Sequence, residues 1–199
     1  MLADQPPANP ANQARSAILV SMTLAYIALG ANLPSPAGSP EAALAAAAQR
    51  LASLGRIAAR SSLYSTVPVG FADQPRFLNA VLALETNLAP RDLLAALLAI
   101  ERDFGRDRAA SVPNGPRTLD LDILLYGDLI LSEPGLEIPH PRLVQRAFVL
   151  VPLNEIAPTL RDPRSGRMIA QLLEALPVRP ASNAVTRIDS ALWAAKIIP

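Results

Sequence analysis

The 199-residue chain has no cysteine, one histidine and a single lysine. Without cysteine there can be no disulfide, no thiolate metal site and no cysteine nucleophile. His140 stands alone, so a multi-histidine metal centre is excluded too. Lys196 lies close to the C-terminus, and no G-x-x-x-x-G-K-[ST] run occurs, so a Walker A phosphate loop is absent. Aromatic residues make up 4% of the chain against 51% apolar, which means a mostly aliphatic core. A formal net charge of +1 provides no bulk field for nucleic acid or membrane. Any handling of phosphate must therefore fall to arginine, whose planar fork grips two oxygens with parallel hydrogen bonds.

The length suits one domain with a substantial core. Residues 1–22 are expected to be a disordered extension, since "MLADQPPANPANQARS" is rich in Pro, Ala, Asn and Gln. The following "AILVSMTLAYIALGA" has the apolar character of a signal peptide behind Arg15. Its charged flank is thin, however, and cleavage would remove an apparently integral strand. Residues 23–176 are expected to form the domain, and 177–199 a loosely held tail.

Within the domain, 24–29 is expected to be a strand and 41–54 a helix ended by Gly55. Strands are expected at 57–65 and 76–86, joined by the loop "TVPVGFADQP". Pro90 and Gly105 bracket a second helix over 90–104, with Leu93, Leu97, Ile100 and Phe104 at helical spacing. A further strand follows the loop 105–116, and a short helix is expected near 168–175. The order βαββαβ points to an α+β fold, a ferredoxin-like sandwich with helices on one face of an antiparallel sheet and the active site on the other.

The stretch "GPRTLDLDILLYG" sets two aspartates in an apolar run. Strand alternation puts Leu119, Leu121, Ile123 and Leu125 on one face, with Asp120 and Asp122 on the other. Their Cα atoms would be roughly 6.5–7 Å apart. Two like charges there repel and lose hydration, so a cation is expected beside them. A pair of carboxylates with substrate phosphates is how Mg²⁺ is usually held. A D-x-D pattern alone is equally consistent with a solvated sheet edge whose acids discourage aggregation. Arg106, Arg108 and Arg117 in or beside the preceding loop, with Arg142 and Arg146 after His140, favour a clamp for a polyphosphate. Pro113, Gly115 and Pro116 suggest a loop able to act as a lid.

Four blocks in order, "AYIALGANL", "SSLYSTVPVGFADQPRFLNAVLALET", "GPRTLDLDILLYG" and "IPHPRLVQRAFVLVPLNEIAP", resemble the 6-hydroxymethyl-7,8-dihydropterin pyrophosphokinase family of the folate pathway. The resemblance implies transfer of the β,γ-diphosphate of ATP to the pterin hydroxymethyl group, releasing AMP, with two Mg²⁺ ions. On that basis Asp120 and Asp122 would bind metal, and Arg106 and Arg117 would be catalytic with them. Phe77 and Phe148 would stack on the pterin, Asn79 would contact its polar edge, and Thr66 and Pro68 would add backbone contacts. Glu101, Arg108, Ile123, His140 and Arg146 would lie along the nucleotide. Without the resemblance, Phe77 and Phe148 would be read first as core residues, since aromatics are usually buried. Asn114 stands where many members carry an aromatic, and Glu137 and Pro141 also depart from residues that some members use.

The expectation is therefore a monomeric, cytoplasmic enzyme with ATP and the pterin as partners. Two rivals remain from the residues themselves. One is a D-x-D nucleotidyltransferase attacking at the α-phosphorus; the other is a non-catalytic ferredoxin-like binding module.

Overall fold

The computed structural model describes residues 22–71, 73–108, 112, 114–176 and 184–197; all of the expected extension over 1–22 except Met22 lies outside them, as do 177–183 and 198–199 of the expected tail. Five pairings, all antiparallel, build the main sheet. Its strands are β1 (Thr23–Ala31), β2 (Arg56–Arg60), β3 (Leu63–Thr66), β4 (Phe77–Thr86), β5 (Asp120–Tyr126) and β8 (Val185–Ile188), in the order β5-β1-β4-β3-β8 with β2 also on β4. A separate hairpin, β6 (Leu131–Glu133) and β7 (Leu136–Ile138), follows β5.

Helix α1 (Pro40–Leu51) starts with the Ser39 Oγ accepting the Ala42 N–H, which satisfies an orphan donor of its first turn. It continues as a 3₁₀ turn, Ala52–Leu54. Helix α2 (Pro90–Asp103) starts on Pro90 and stops before Gly105, whose φ of +77° suits glycine. Both helices cover one sheet face. Leu93, Leu97, Ile100 and Phe104 join Ile27, Leu29, Leu82, Leu84, Leu119, Leu121 and Ile123 in an aliphatic core. The expected ferredoxin-like layering is thus present.

The other face carries more than expected. Helices α3 (Ala147–Ile156) and α4 (Ile169–Glu174) pack there, with Val149, Leu150, Leu153, Ile169 and Leu172 against Tyr26, Val81 and Ala83. They leave open only the part of that face nearest Gly30, Asn79 and Asp120.

Three local expectations are corrected. The strand expected over 57–65 is broken at Ser61 and Ser62: the Ser61 Oγ, not a carbonyl, accepts the Val81 N–H at 3.0 Å, interrupting the ladder. Leu125 does not stay with Leu121 and Ile123. The pairing shifts between Tyr26↔Leu125 and Ile27↔Ile123, leaving Leu124 without a partner. This bulge sends Leu125 to the α3–α4 side. Finally, residues 184–197 are not loosely held. β8 extends the sheet beside β3, and α5 (Ala191–Ala194) buries Trp193 against the α1 side.

Candidate active site

A cavity of about 470 Å³ opens on the uncovered part of the sheet. Its floor is β1, β4 and β5. Gly30 lies opposite Asn79 and Asp120, and a Cβ on Gly30 would meet the Asn79 Oδ1 at 3.0 Å. Lacking a side chain at position 30, the floor admits the Asn79 amide, which donates to the Thr66 Oγ1 at 2.7 Å. Strand alternation directs Phe77 and Asn79 of β4, and Asp120 and Asp122 of β5, toward this cavity. Phe148, from the first turn of α3, lines it too, as do Thr66, Pro68, Arg117 and Arg146. Each phenylalanine has an arginine over its ring: Arg117 at 5.3 Å from Phe77, and Arg146 at 5.4 Å from Phe148.

Arg117 is fixed from several sides. Its Nη1 donates to the Asp120 Oδ2 at 2.5 Å, and its Nε and Nη2 donate to the Gly115 carbonyl at 3.2 and 3.1 Å. Arg106 and Arg108 approach the other Asp120 oxygen at 3.7 and 3.9 Å. The buried Arg106 Nε has no hydrogen-bond partner among the described residues. Glu101 does not face the large cavity. It is 1% exposed and accepts both forks of Arg108 at 2.7 Å, plus the Leu121 N–H at 2.8 Å. Burial raises its pKa, opposed by the Arg108 and Leu121 bonds. Glu101, Arg106 and Arg108 also line a second cavity of about 270 Å³ at the end of α2.

Asp122 sits differently. Its nearest cationic groups are the His140 Nε2 and the Arg146 Nη1, both at 3.8 Å. Burial, and then the Asp120 charge, raise its pKa. His140 is seated by its N–H donating to the Leu124 carbonyl on the outer edge of β5 at 2.9 Å. Its Nδ1 accepts the Arg142 N–H at 3.1 Å, which leaves Nε2 toward Asp122. Burial lowers the His140 pKa against the pull of Asp122.

Ile123, like Glu101 an expected nucleotide contact, does not face the large cavity: it lies in the helix-side aliphatic core, because strand alternation turns it from its aspartate neighbours. Sequence reasoning missed Asn32, which is 3% exposed and ties three segments together. Its Oδ1 accepts the Arg117 N–H at 2.8 Å, and its Nδ2 donates to the Gln74 Oε1 and the Pro75 carbonyl, both at 3.0 Å. Gln74 in turn donates to the Asn114 carbonyl at 2.8 Å. Asn114 has φ +57°, which asparagine tolerates better than an aromatic would. A polar side chain ending an apolar strand was the available signal for Asn32. Glu137 is engaged by Arg164 at 2.8 Å. Gln145, Ala184 and Val185 also line the large cavity and were not anticipated.

Among the described residues, no three or more His, Cys, Asp or Glu side chains are grouped to hold a metal ion. Two carboxylates on one strand face are a hard oxygen pair that fits a cation arriving with phosphate ligands of its own. They do not fit a cation caged by protein alone.

This geometry agrees with what the chain is similar to. The family described as 7,8-dihydro-6-hydroxymethylpterin-pyrophosphokinase (HPPK) matches residues 26–158. The 2-amino-4-hydroxy-6-hydroxymethyldihydropteridine pyrophosphokinase of Pseudomonas aeruginosa is 53% identical over 152 residues, covering 76% of this chain and 91% of that protein. The enzyme of the same description from Haemophilus influenzae is 46% identical over 153 residues, covering 77% and 92%. Among solved structures, wild-type Plasmodium falciparum HPPK-DHPS aligns with TM-score 0.60 at 16% identity, which speaks to fold alone. That alignment takes in 76% of this chain and 44% of the other. With the family match spanning β1 to the turn after α3, and with two relatives matched over nearly their whole length, this chain belongs to the 7,8-dihydro-6-hydroxymethylpterin-pyrophosphokinase family.

Proposed function

We infer that this chain transfers the β,γ-diphosphate of ATP to the hydroxymethyl group of 6-hydroxymethyl-7,8-dihydropterin, giving AMP and the pterin diphosphate of folate biosynthesis. The observation that carries this reading is the cavity itself. Two phenylalanines, each under an arginine, share one space with two same-face aspartates. The flat, apolar walls suit a fused heteroaromatic ring, and the Asn79 amide beside Thr66 suits its polar edge. Arg106, Arg108, Arg117, His140 and Arg146 would hold the triphosphate, with Glu101 orienting Arg108 from beneath.

Asp120 and Asp122 would hold Mg²⁺ together with the nucleotide, and the bound cation would neutralise triphosphate charge and polarise the transferring phosphorus. The pterin hydroxyl oxygen forms a bond to the β-phosphorus as the bond from that phosphorus to the α,β-bridging oxygen breaks; AMP leaves and the hydroxyl proton passes to solvent. The chain's own contribution is to align hydroxyl and phosphorus and to oppose developing negative charge with arginines already in place. Little is asked of a general base in chemistry of this type. The loop expected to act as a lid, 105–116, includes residues 109–111 and 113, which lie outside the described residues; Arg117 follows it. The catalytic unit is a monomer in this reading and works in the cytoplasm. No helix among the described residues is long and apolar enough to cross a membrane.

Incubation with ATP, Mg²⁺ and the hydroxymethyl pterin tests the reading. AMP and pterin diphosphate are expected in equal amounts. ADP as product, or free diphosphate with a nucleotidylated pterin, would overturn it.

A further inference from the structure

The match to the family ends at residue 158, yet the chain returns to the site after that point. β8 sets Thr186 opposite Ser65 and Val185 opposite Thr66, and the Val67 N–H donates to the Ala184 carbonyl at 2.9 Å. Ala184 and Val185 line the large cavity beside Thr66 and Val67. Without β8, the four-residue β3 would be an edge strand held on one side only. One wall of the cavity is therefore fixed by a segment that the family match does not include.

That segment is itself fixed by α5. Trp193 is 4% exposed within the helix-side core, and its Nε1–H donates to the Ser61 carbonyl at 2.8 Å. Ser61 is where β2 gives way to β3, so this bond fixes the chain just before the cavity wall. The Arg60 guanidinium lies 4.9 Å from the indole and donates to the Ala195 carbonyl at 3.2 Å. The Ser190 Oγ accepts the Trp193 N–H at 2.9 Å and bonds Glu41 of α1. An apolar plug, a cap and a stacked cation thus hold a helix only four residues long.

We propose that Trp193 is a positioning residue for the pterin pocket: by docking α5 it holds β8 on β3, and so keeps Thr66 and Val67 in place at the pocket wall. The proposal rests on the reading that Thr66 and Asn79 face the pterin. It predicts an effect confined to one substrate. Asp120, Asp122 and Arg117 belong to β5 and the loop before it, and β1 and β4 separate β5 from β3. Loosening β8 therefore alters pterin affinity and leaves the phosphate side as it was.

The test compares the full-length chain with Trp193→Ala, Trp193→Phe and Ser190→Ala, varying each substrate separately and recording thermal melts. Trp193→Ala should raise the pterin KM about tenfold, with kcat and the Mg-ATP KM within about twofold. Ser190→Ala should move the pterin KM in the same direction by about threefold. Trp193→Phe, which refills the apolar site without the Nε1–H donor, should recover most of the loss. Should Trp193→Ala fail to fold, Ser190→Ala decides. An unchanged pterin KM in Trp193→Ala, or in Ser190→Ala where Trp193→Ala does not fold, would overturn the proposal, and so would kcat and both KM values worsening together. Calorimetric titration of the pterin into the same proteins separates the two inferences. Weakened pterin binding in the variants supports the positioning role even if the wild type releases a nucleotide other than AMP, which would defeat only the reaction assigned above.

Discussion

Asp120 and Asp122 are two residues apart on one strand face, yet they live in opposite surroundings. Asp120 is already paired, with Arg117 at 2.5 Å and Arg106 and Arg108 close behind. Among the described residues Asp122 has no cationic group nearer than 3.8 Å, and burial together with its neighbour's charge disfavours its ionised form. The cause lies in the chain. Arg117 is three residues before Asp120 and meets it locally, whereas His140 and Arg146 come from beyond the β6–β7 hairpin and are placed by tertiary contacts. The lesson is that a site can hold one charge ready-satisfied for positioning while keeping another under-satisfied for a ligand.

The largest expected effect breaks this contrast directly. Asp120→Asn and Asp122→Asn should each lower turnover by about 10²–10³-fold, the usual loss when one preorganised electrostatic partner is removed. Their stabilities should diverge. Asp122→Asn removes a half-buried charge whose ionised form desolvation and the Asp120 charge disfavour, so its melting temperature should rise. Asp120→Asn leaves Arg117 and the 10%-exposed Arg106 without their carboxylate, at a cost of about 1–3 kcal/mol. Steady-state assays beside thermal melts decide it, and melting shifts of the same sign would erase the distinction.

A smaller effect sharpens the arginine side. Arg106→Ala should cut kcat by about 10²-fold while changing pterin affinity less than about threefold, since in the proposed complex its charge, besides facing Asp120, would act on the transferring phosphates and not on the pterin. Arg117→Ala should show a similar kcat loss with a larger affinity change, because Arg117 also stacks on Phe77. Single-turnover rates with pterin titrations separate the two. Indistinguishable affinity changes would count against the stacked geometry.

The third prediction uses pH in the nucleotide-free, metal-free protein. The raised pKa of Asp122 means that the folded state binds its proton more tightly than the unfolded chain does. Its charge therefore costs stability at neutral pH, and that cost disappears as pH falls through the raised value. The melting advantage of Asp122→Asn should be widest at pH 7 and close toward pH 4. His140 works the other way. Its lowered pKa contributes stability above its ordinary value, lost as pH falls through the depressed one, so a His140→Gln chain should lose less on acidification. Asp120, Arg108, Arg142 and Arg146 also act on this pair, and Asp122→Asn in the His140→Gln background would show how strongly the two titrations are linked. An Asp122→Asn advantage that stays constant with pH would refute the assignment. The smallest expected effect is a control on both carboxylates: a chain starting at Met22, which is 54% exposed, should keep turnover within about twofold.

What the sequence makes legible here is what repeats along it. Leu93, Leu97, Ile100 and Phe104 mark the buried face of α2, and the alternation in "LDLDI" puts both aspartates on one side. Features made by distant partners are not legible in that way. Asn32 acts through residues 42 and 85 positions away, and its one local signal, a polar side chain ending an apolar strand, names neither partner. The break at Ser61 depends on a hydroxyl standing in for a carbonyl, and the turn of Leu125 depends on a bulge opposite Tyr26. Helix α3 is apolar over most of its length and contains Pro152, so neither period nor propensity identifies it. β8 carries only a weak strand pattern and gains its place by pairing with β3.

Trp193 is the chain's one tryptophan, and that fact shapes what light can report about this protein. Its indole is packed between α1 and the Arg60 guanidinium, far along the sheet from the aspartates. Intrinsic fluorescence therefore watches the docking of α5, while far-UV circular dichroism watches the sheet and the long helices. If the two signals melt together, the C-terminal segment and the core form one cooperative unit. An earlier fluorescence transition would mean that the segment undocks from a folded core, and the emission of a single residue would then time that event in every variant that keeps its tryptophan.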